Sequence, residues 1–221
     1  MKPKHQLNIF TLFLIIIITT SCENIPLKSK RVEFDVPYTE TIKQGKHYSD
    51  HQIFYDFSQN YIKATLNFHP SNLYSNLPVE CSNEWNKTMG FLMPGTIDLH
   101  TNSARFVHRV SSDLQTLQLG YYVHRKGDIF IYDSDGNITD TTYVDDLIAD
   151  YIMDINVSTD YLVEIVHEPY VIKYFVADSL VKIIDIPYVP SGAYDFLYFY
   201  HGGNCPAPQD VSLNITYHKN N

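Results

Sequence analysis

The sequence predicts an all-β chain folded as an antiparallel β-sandwich or jelly roll, and three observations carry that expectation. Hydrophobic residues alternate at period two along nearly all of the chain beyond residue 31, in segments rich in β-branched and aromatic side chains. Turn-forming groups punctuate these segments at close intervals: Lys126-Gly127, Asp135-Gly136-Asn137, Glu168-Pro169, Pro190-Ser191-Gly192 and Gly202-Gly203-Asn204. Tyrosine is abundant, 18 of 221 residues, which suits strands whose rings pack inward while their hydroxyls reach water. Many short strands with close turns bury their apolar faces by stacking two sheets.

The first element is a targeting segment, residues 1–21. Lys2 and Lys4 make a positive start, "IFTLFLIIII" (9–18) is an apolar run too short for a mature membrane span, and Thr19-Thr20-Ser21 precede Cys22. Small residues before a cysteine resemble a bacterial lipobox, which implies Cys22 as a lipidated N-terminus; an ordinary signal peptide is the alternative. Acyl chains anchor in proportion to the methylenes they bury, about 0.8 kcal/mol each. The expectation is therefore a lipid-anchored envelope protein of the outer membrane, facing the periplasm or the surface. Residues 22–31 read as a polar tether, and residues 32–221 as one domain with material for a single sizeable core.

Strand patterns follow in order. They are "RVEFDV" (31–36), "YIKATLNF" (61–68), "ARFVHRV" (104–110), "LQTLQLGYYV" (114–123) and "DIFIYD" (128–133), then "YLVEIVH" (161–167), "YVIKYFV" (170–176), "LVKIIDI" (180–186) and "VSLNITY" (211–217). Helical spacing is found only within residues 74–89 and 143–150. In "YDFLYFYH" (194–201) both faces carry bulky groups, which predicts a central strand. The turn after it spends Gly202, Gly203, Asn204, Pro206 and Pro208. The glycines permit angles other residues resist and the prolines stiffen the exit, so the turn reads as a structural lock, with a ligand-contacting rim as the lesser alternative. Asp210 is placed to accept hydrogen bonds from turn amides as the last strand begins.

The formal charge is −9 and becomes more negative once Lys2 and Lys4 leave with the signal. No basic stripe offsets it, which argues against nucleic acid as a partner and leaves a glycan or an envelope protein. Cys81 and Cys205 remain after export and are candidates for one disulfide closing a long loop; sequence alone leaves the pairing open.

"HTNSARFVHRV" (100–110), "LGYYVHRKG" (119–127) and "YDFLYFYHGGNCPAPQDVSLNI" (194–215) occur in an order that resembles a family of exported proteins of Bacteroidetes-type bacteria. That family pattern has an Asn-Ser-Ala-Arg-Phe strand, a Tyr-x-x-x-Gly hairpin and a closing Gly-Gly-Asn-x-x-Ala-Pro-x-Asp turn, and the match runs over residues 85–217. The resemblance implies a laminin-G or concanavalin-like sandwich and no particular activity. His108 stands where the pattern has Trp, and His201 where it has an aromatic before Gly-Gly-Asn. Stacking of a ligand at those two positions is therefore not implied.

The chemistry lies on strand faces. Ser103, Arg105, Val107 and Arg109 share one face of a strand, leaving Ala104, Phe106, His108 and Val110 for the core. On the next strand Leu117, Leu119, Tyr121 and Val123 face inward, with Gln118, Tyr122 and His124 opposite. Paired as neighbours, Arg105, Arg109, Gln118, Tyr122 and His124 would form a polar surface bearing an aromatic ring, which is what a sugar needs: planar donors for hydroxyls and a ring for its apolar side. The plainer reading is a solvated face with structural arginines bonded to carboxylates.

No cofactor is expected. Calcium is conceivable at Asp135, Asn137 or Asp140, but an EF-hand beginning at Asp133 would need Glu where Val144 stands, and Asp135-Gly136 suits a hairpin turn. His100, His108, His124, His167 and His201 lack zinc-site spacing, so no metal is assigned. Catalytic residues are none: no nucleophile elbow is present, and "VEIVHE" offers only Glu164 and Glu168, without the paired carboxylates of a glycosidase. The leading expectation is a non-catalytic surface module binding a glycan or protein. A glycan hydrolase or lyase using Glu164 and a second carboxylate is one alternative, and an accessory subunit of an envelope complex is the other.

Overall fold

The computed structural model of the chain describes residues 33–49, 56–57, 59–78, 81, 83–93, 102–132, 137–187, 194–197 and 199–219. Cys22, His100, Asp133 and Asp135, with the expectations that rest on them, lie outside these residues. Among the described residues twelve strands, numbered in chain order, form two six-stranded antiparallel sheets. The first runs β1 (Pro37–Ile42), β12 (Val211–His218), β3 (Tyr61–Phe68), β8 (Asp160–Glu168), β9 (Val171–Val176), β10 (Ser179–Asp185). The second runs β2 (Asp56–Phe57), β11 (Tyr194–Leu197), β4 (Asn86–Leu92), β5 (Ser103–Val110), β6 (Leu117–Tyr132), β7 (Ile138–Ile155).

Alternation builds the sandwich as expected. Ile62, Ala64, Leu66 and Phe68 of β3 are buried, while Tyr61, Lys63, Thr65 and Asn67 between them are half-exposed. Facing them, Phe106 of β5 and Leu119, Tyr121 and Val123 of β6 are buried. Rings meet across the core edge to face: Phe106 and Tyr174 have centroids 5.2 Å apart at 89°.

Four sequence expectations are corrected. Residues 31–36 are not a strand where described: Asp35 has φ 62°, and β1 begins at Pro37. Residues 143–150 lie inside β7, not a helix. Tyr143, Leu147 and Tyr151 recur every fourth residue, a spacing that lines one face of a helix but equally spans two strand periods. The described residues of 74–89 are an irregular approach to β4, with Cys81 in a 3₁₀ conformation, and the first residues of β4; a short 3₁₀ turn lies just before them at Pro70–Asn72. Lys126-Gly127 is not a turn, since β6 continues through it, with Lys126 opposite Asp145 and Gly127 opposite Val144. Gly127 takes φ 141° there, a distortion a side chain resists and a glycine absorbs without ending the strand.

β11 sits between β2 and β4, inside the sheet order. Beyond it the turn is tied down from several sides. Cys205 is bonded to Cys81, with Cα atoms 6.0 Å apart. Gly202 takes φ 63°, and a Cβ there would stand 2.4 Å from the Cys205 carbonyl oxygen, so only glycine fits. Asp210 accepts not from the turn's own amides but from Gln44 N at 2.9 Å and Lys43 Nζ at 2.9 Å. It joins the start of β12 to the end of β1, its pairing partner.

Candidate functional site

β5 is buried on both faces from Ser103 to His108. The inner face packs in the core. The outer face floors a groove of about 460 Å³, walled by Tyr48, Trp85, Lys87, Tyr122, Leu147 and Tyr200. Register explains the floor: Gly90 stands opposite Arg105, which stands opposite Tyr122, which stands opposite Ala149. These outward residues therefore form one row across four strands.

Two glycines make the groove deep enough to hold side chains. A Cβ on Gly90 would lie 2.8 Å from Arg105 Cγ and 2.0 Å from the Ala104 carbonyl oxygen, so the bare backbone leaves room for the arginine. A Cβ on Gly120 would lie 2.8 Å from the Trp85 ring. The indole therefore rests directly on β6. Arg109 stacks its guanidinium 4.3 Å from the Trp85 ring centre and donates from Nε to Gln118 Oε1 at 2.8 Å.

Lys87 crosses the groove. Its Nζ lies 5.3 Å from the ring centres of both Tyr122 and Tyr200 and donates to the Gly202 carbonyl at 3.2 Å. Burial, helped by the nearby Arg105 guanidinium and opposed by Glu84, pushes its ammonium pKa down to about 8. Among the described residues no carboxylate lies within ion-pair distance of Lys87, whereas Lys43, Lys63, Arg125, Lys126 and Lys173 each have one. Burial also raises the Tyr122 hydroxyl, which keeps it protonated at neutral pH.

The rim is held by Glu84, which accepts from Gly203 N at 2.7 Å and Asn204 N at 3.1 Å. Burial acts to raise this carboxyl, but the amides of Gly203, Asn204 and Cys205 outweigh it and hold it below its ordinary range. Behind the rim a buried relay fixes the same turn. Asn86 Nδ2 donates to Tyr74 Oη at 2.8 Å, Tyr74 Oη lies 3.0 Å from His201 Nε2, and His201 Nδ1 lies 3.2 Å from the Cys205 carbonyl. The carbonyl requires a proton on Nδ1, so Nε2 accepts from the tyrosine. Gly203 and Asn204 also line the groove, so the closing turn is both a lock and a rim.

The five residues chosen from the sequence lie on this outer face in register: Arg105 opposite Tyr122, Arg109 opposite Gln118, and Ser103 opposite His124. Arg105 and Tyr122 line the groove. Arg109 and Gln118 line an adjoining depression. His124 lines neither; its ring lies 5.3 Å from Tyr122 further along β6. Sequence reasoning missed Glu84, Trp85, Lys87 and Tyr48, although the chain's single tryptophan was a signal available to it.

Other candidates fall elsewhere. His108 and His201 are buried rather than ligand-facing, and His108 bonds Thr88 Oγ1 at 3.0 Å. Glu164 is on β8 of the other sheet, 3.6 Å from Lys63 Nζ, so the carboxylate picked for hydrolysis is far from the groove in the topology. Glu84 is the acidic side chain lining the groove, and it is committed to the turn. The facing carboxylate pair of a glycosidase is thus missing among the described lining residues. Asp140 pairs opposite Ile131 within the β6–β7 ladder, and no cluster of three His, Cys, Asp or Glu suited to a metal occurs among the described residues.

The groove can seat an anionic group against Lys87 and Arg105 and offers Trp85, Tyr48 and Tyr200 as apolar surfaces. No protein-family model matches the chain, and no curated protein matches it. Among solved structures it is similar to alginate lyase AlyC3, with a TM-score of 0.52 at 11% identity over 82% of this chain and 74% of that one. It is also similar to the laminarinase catalytic domain from Thermotoga maritima, TM-score 0.48 at 11% identity over 88% and 82%. A third is a glycoside hydrolase family 16 endo-glucanase from Bacteroides ovatus, TM-score 0.46 at 11% identity over 86% and 82%. The similarity to the AlyC3 structure shows a shared β-sandwich fold.

Proposed function

We propose that this protein is a lipid-anchored envelope protein that binds an acidic polysaccharide in the groove over β4, β5, β6 and β7. The observation that carries the reading is Lys87. In a chain of net charge −9, this half-buried ammonium lies beside Arg105 and between aromatic rings, with Glu84 bound to the turn amides and no described carboxylate within ion-pair distance. A buried cation is costly without a counter-charge, and a uronate or sulfate group supplies one. The rings then cover the apolar face of the sugar. A glycan array probed with the purified protein tests this: acidic glycans bind and neutral ones of equal length do not. Binding that survives joint Arg105→Ala and Lys87→Met substitution removes the site assignment, and an array without any signal favours the accessory-subunit alternative.

The pKa of Lys87 supports a second reading, a lyase. Near pH 8 about half of the amine is neutral and able to take the proton from the carbon next to the uronate carboxylate. Arg105 would steady the charge building on that carboxylate. The glycosidic C–O bond then breaks, a tyrosine hydroxyl, Tyr122 or Tyr200, protonates the leaving oxygen, and a carbon–carbon double bond remains. Release of unsaturated oligosaccharides, detected by ultraviolet absorbance and abolished in Lys87→Met, tests it. Binding without such product leaves the non-catalytic reading standing.

A further inference from the structure

Beside the groove lies a second depression of about 460 Å³ that shares Asn83 and Glu84 with it and is otherwise walled by Tyr74, Leu77, Arg109, Ser111, Leu114 and Gln118. The divider is a stacked pair. Trp85 lines the groove, Arg109 lines the depression, and the guanidinium lies over the indole, 4.3 Å from its ring centre. Arg109 is fixed further by its Nε bond to Gln118 and by Nη1 reaching the Asn83 carbonyl at 3.5 Å. Its Nη2 makes no hydrogen bond to a described residue, and no carboxylate of the described residues lies within ion-pair distance of it. With Nε and Nη1 engaged and the indole beneath it, the guanidinium keeps Nη2 as its open charged donor, a group that takes a carboxylate or sulfate oxygen.

Arg105 and Arg109 lie four residues apart on the same face of β5, which sets their backbones about 13 Å apart along the strand. A sugar chain seated in the groove and leaving past Trp85 reaches the Arg109 edge a few residues on. We infer that the depression is a second anion subsite for the same acidic glycan. The ligand is thus a run of several sugars carrying acidic groups at both ends of the Trp85–Arg109 divider. This rests on the acidic-glycan reading of the groove.

The test is a length series by titration calorimetry, using oligouronates of two to eight residues and chondroitin sulfate oligosaccharides for the sulfate case. Wild type is expected to gain about tenfold or more in affinity once the oligomer is long enough to reach Arg109, the worth of one charge-assisted contact. Arg109→Met loses that gain, so that long and short oligomers bind it alike. Because Arg109 also braces Trp85, a second variant avoids the stack. Leu114 is 47% exposed with φ 59°, a left-handed conformation that aspartate tolerates, and Leu114→Asp places a repelling charge at the depression. It too should weaken only the longer oligomers, whether carboxylated or sulfated. Short and long oligomers bound equally by wild type, or a length gain retained in both variants, would overturn the subsite while leaving the groove intact. No binding of any oligomer overturns the groove reading itself.

Discussion

Replacing Glu40 by glutamine isolates a buried titration whose effect on stability opposes that of His108. Burial pushes the Glu40 carboxyl from 4.5 up to about 7, against the lowering effect of its hydrogen bond from Ser49. The fully buried His108 is pushed by burial, with help from His201, from 6.5 down to about 3. The signs follow from linkage. A carboxyl with a raised folded pKa contributes stability that is complete below about 4.5 and is lost as pH rises through about 7. An imidazole with a depressed folded pKa contributes stability present above about 6.5 and lost as pH falls toward about 3. Between pH 6.5 and 4.5 the Glu40 contribution grows by about 2 kcal/mol while that of His108 shrinks by about the same amount. His201, also lowered by burial, adds in the His108 sense. Urea denaturation across this range should show wild type losing stability gently and Glu40→Gln losing about 2 kcal/mol more, since glutamine keeps an acceptor for Ser49 but binds no proton. His108→Asn should shift the curve the opposite way. Superimposable pH profiles for wild type and Glu40→Gln would refute the claim that Glu40 is buried and protonated in the folded protein.

Three further outcomes follow from the groove and its rim. Serine at both Cys81 and Cys205 opens a loop of 124 residues and should lower stability by about 5 kcal/mol in a denaturant melt run without reductant; a smaller loss would mean that the turn is held mainly by Glu84 and the Tyr74–His201 relay. Glu84→Gln keeps one acceptor for the Gly203 and Asn204 amides but loses the charge, costing about 2 kcal/mol and raising hydrogen exchange at those amides first. With Lys87 pushed down to about 8, affinity for an acidic glycan should fall about thirtyfold from pH 7 to pH 9.5 in wild type and stay flat in Lys87→Met; a flat wild-type profile would place the anion elsewhere.

Strand faces were readable in the sequence, while the assembly of the site was not. Arg105 with Arg109, and Gln118 with Tyr122, could be assigned to one face because period two fixes which side chains leave a sheet together. Their register then followed once β5 and β6 paired as chain neighbours. Trp85 and Lys87 were hidden because they fall in residues 74–89, where apolar spacing also fits a helix. Their partner Tyr200 lies more than a hundred residues away and is brought to Lys87 by a backbone bridge. Gly90 and Gly120 look in the sequence like weak points in strands. Only the fold shows that each makes room for a side chain from elsewhere, Arg105 beneath one and Trp85 above the other. Lys126-Gly127 misled for a related reason: a glycine that relieves distortion inside a long strand has the same sequence signature as one that ends it.

Lys87 marks the proposed anion site for an acidic sugar chain. Titration calorimetry with paired oligosaccharides of equal length, one a uronate and one its neutral counterpart, tests it on wild type and Lys87→Met at pH 7. Wild type is expected to bind the uronate and not the neutral sugar, and Lys87→Met to weaken uronate binding at least tenfold while its denaturation midpoint stays within a few tenths of a molar of wild type. Equal binding of both sugars, or uronate affinity unchanged in Lys87→Met, would contradict it.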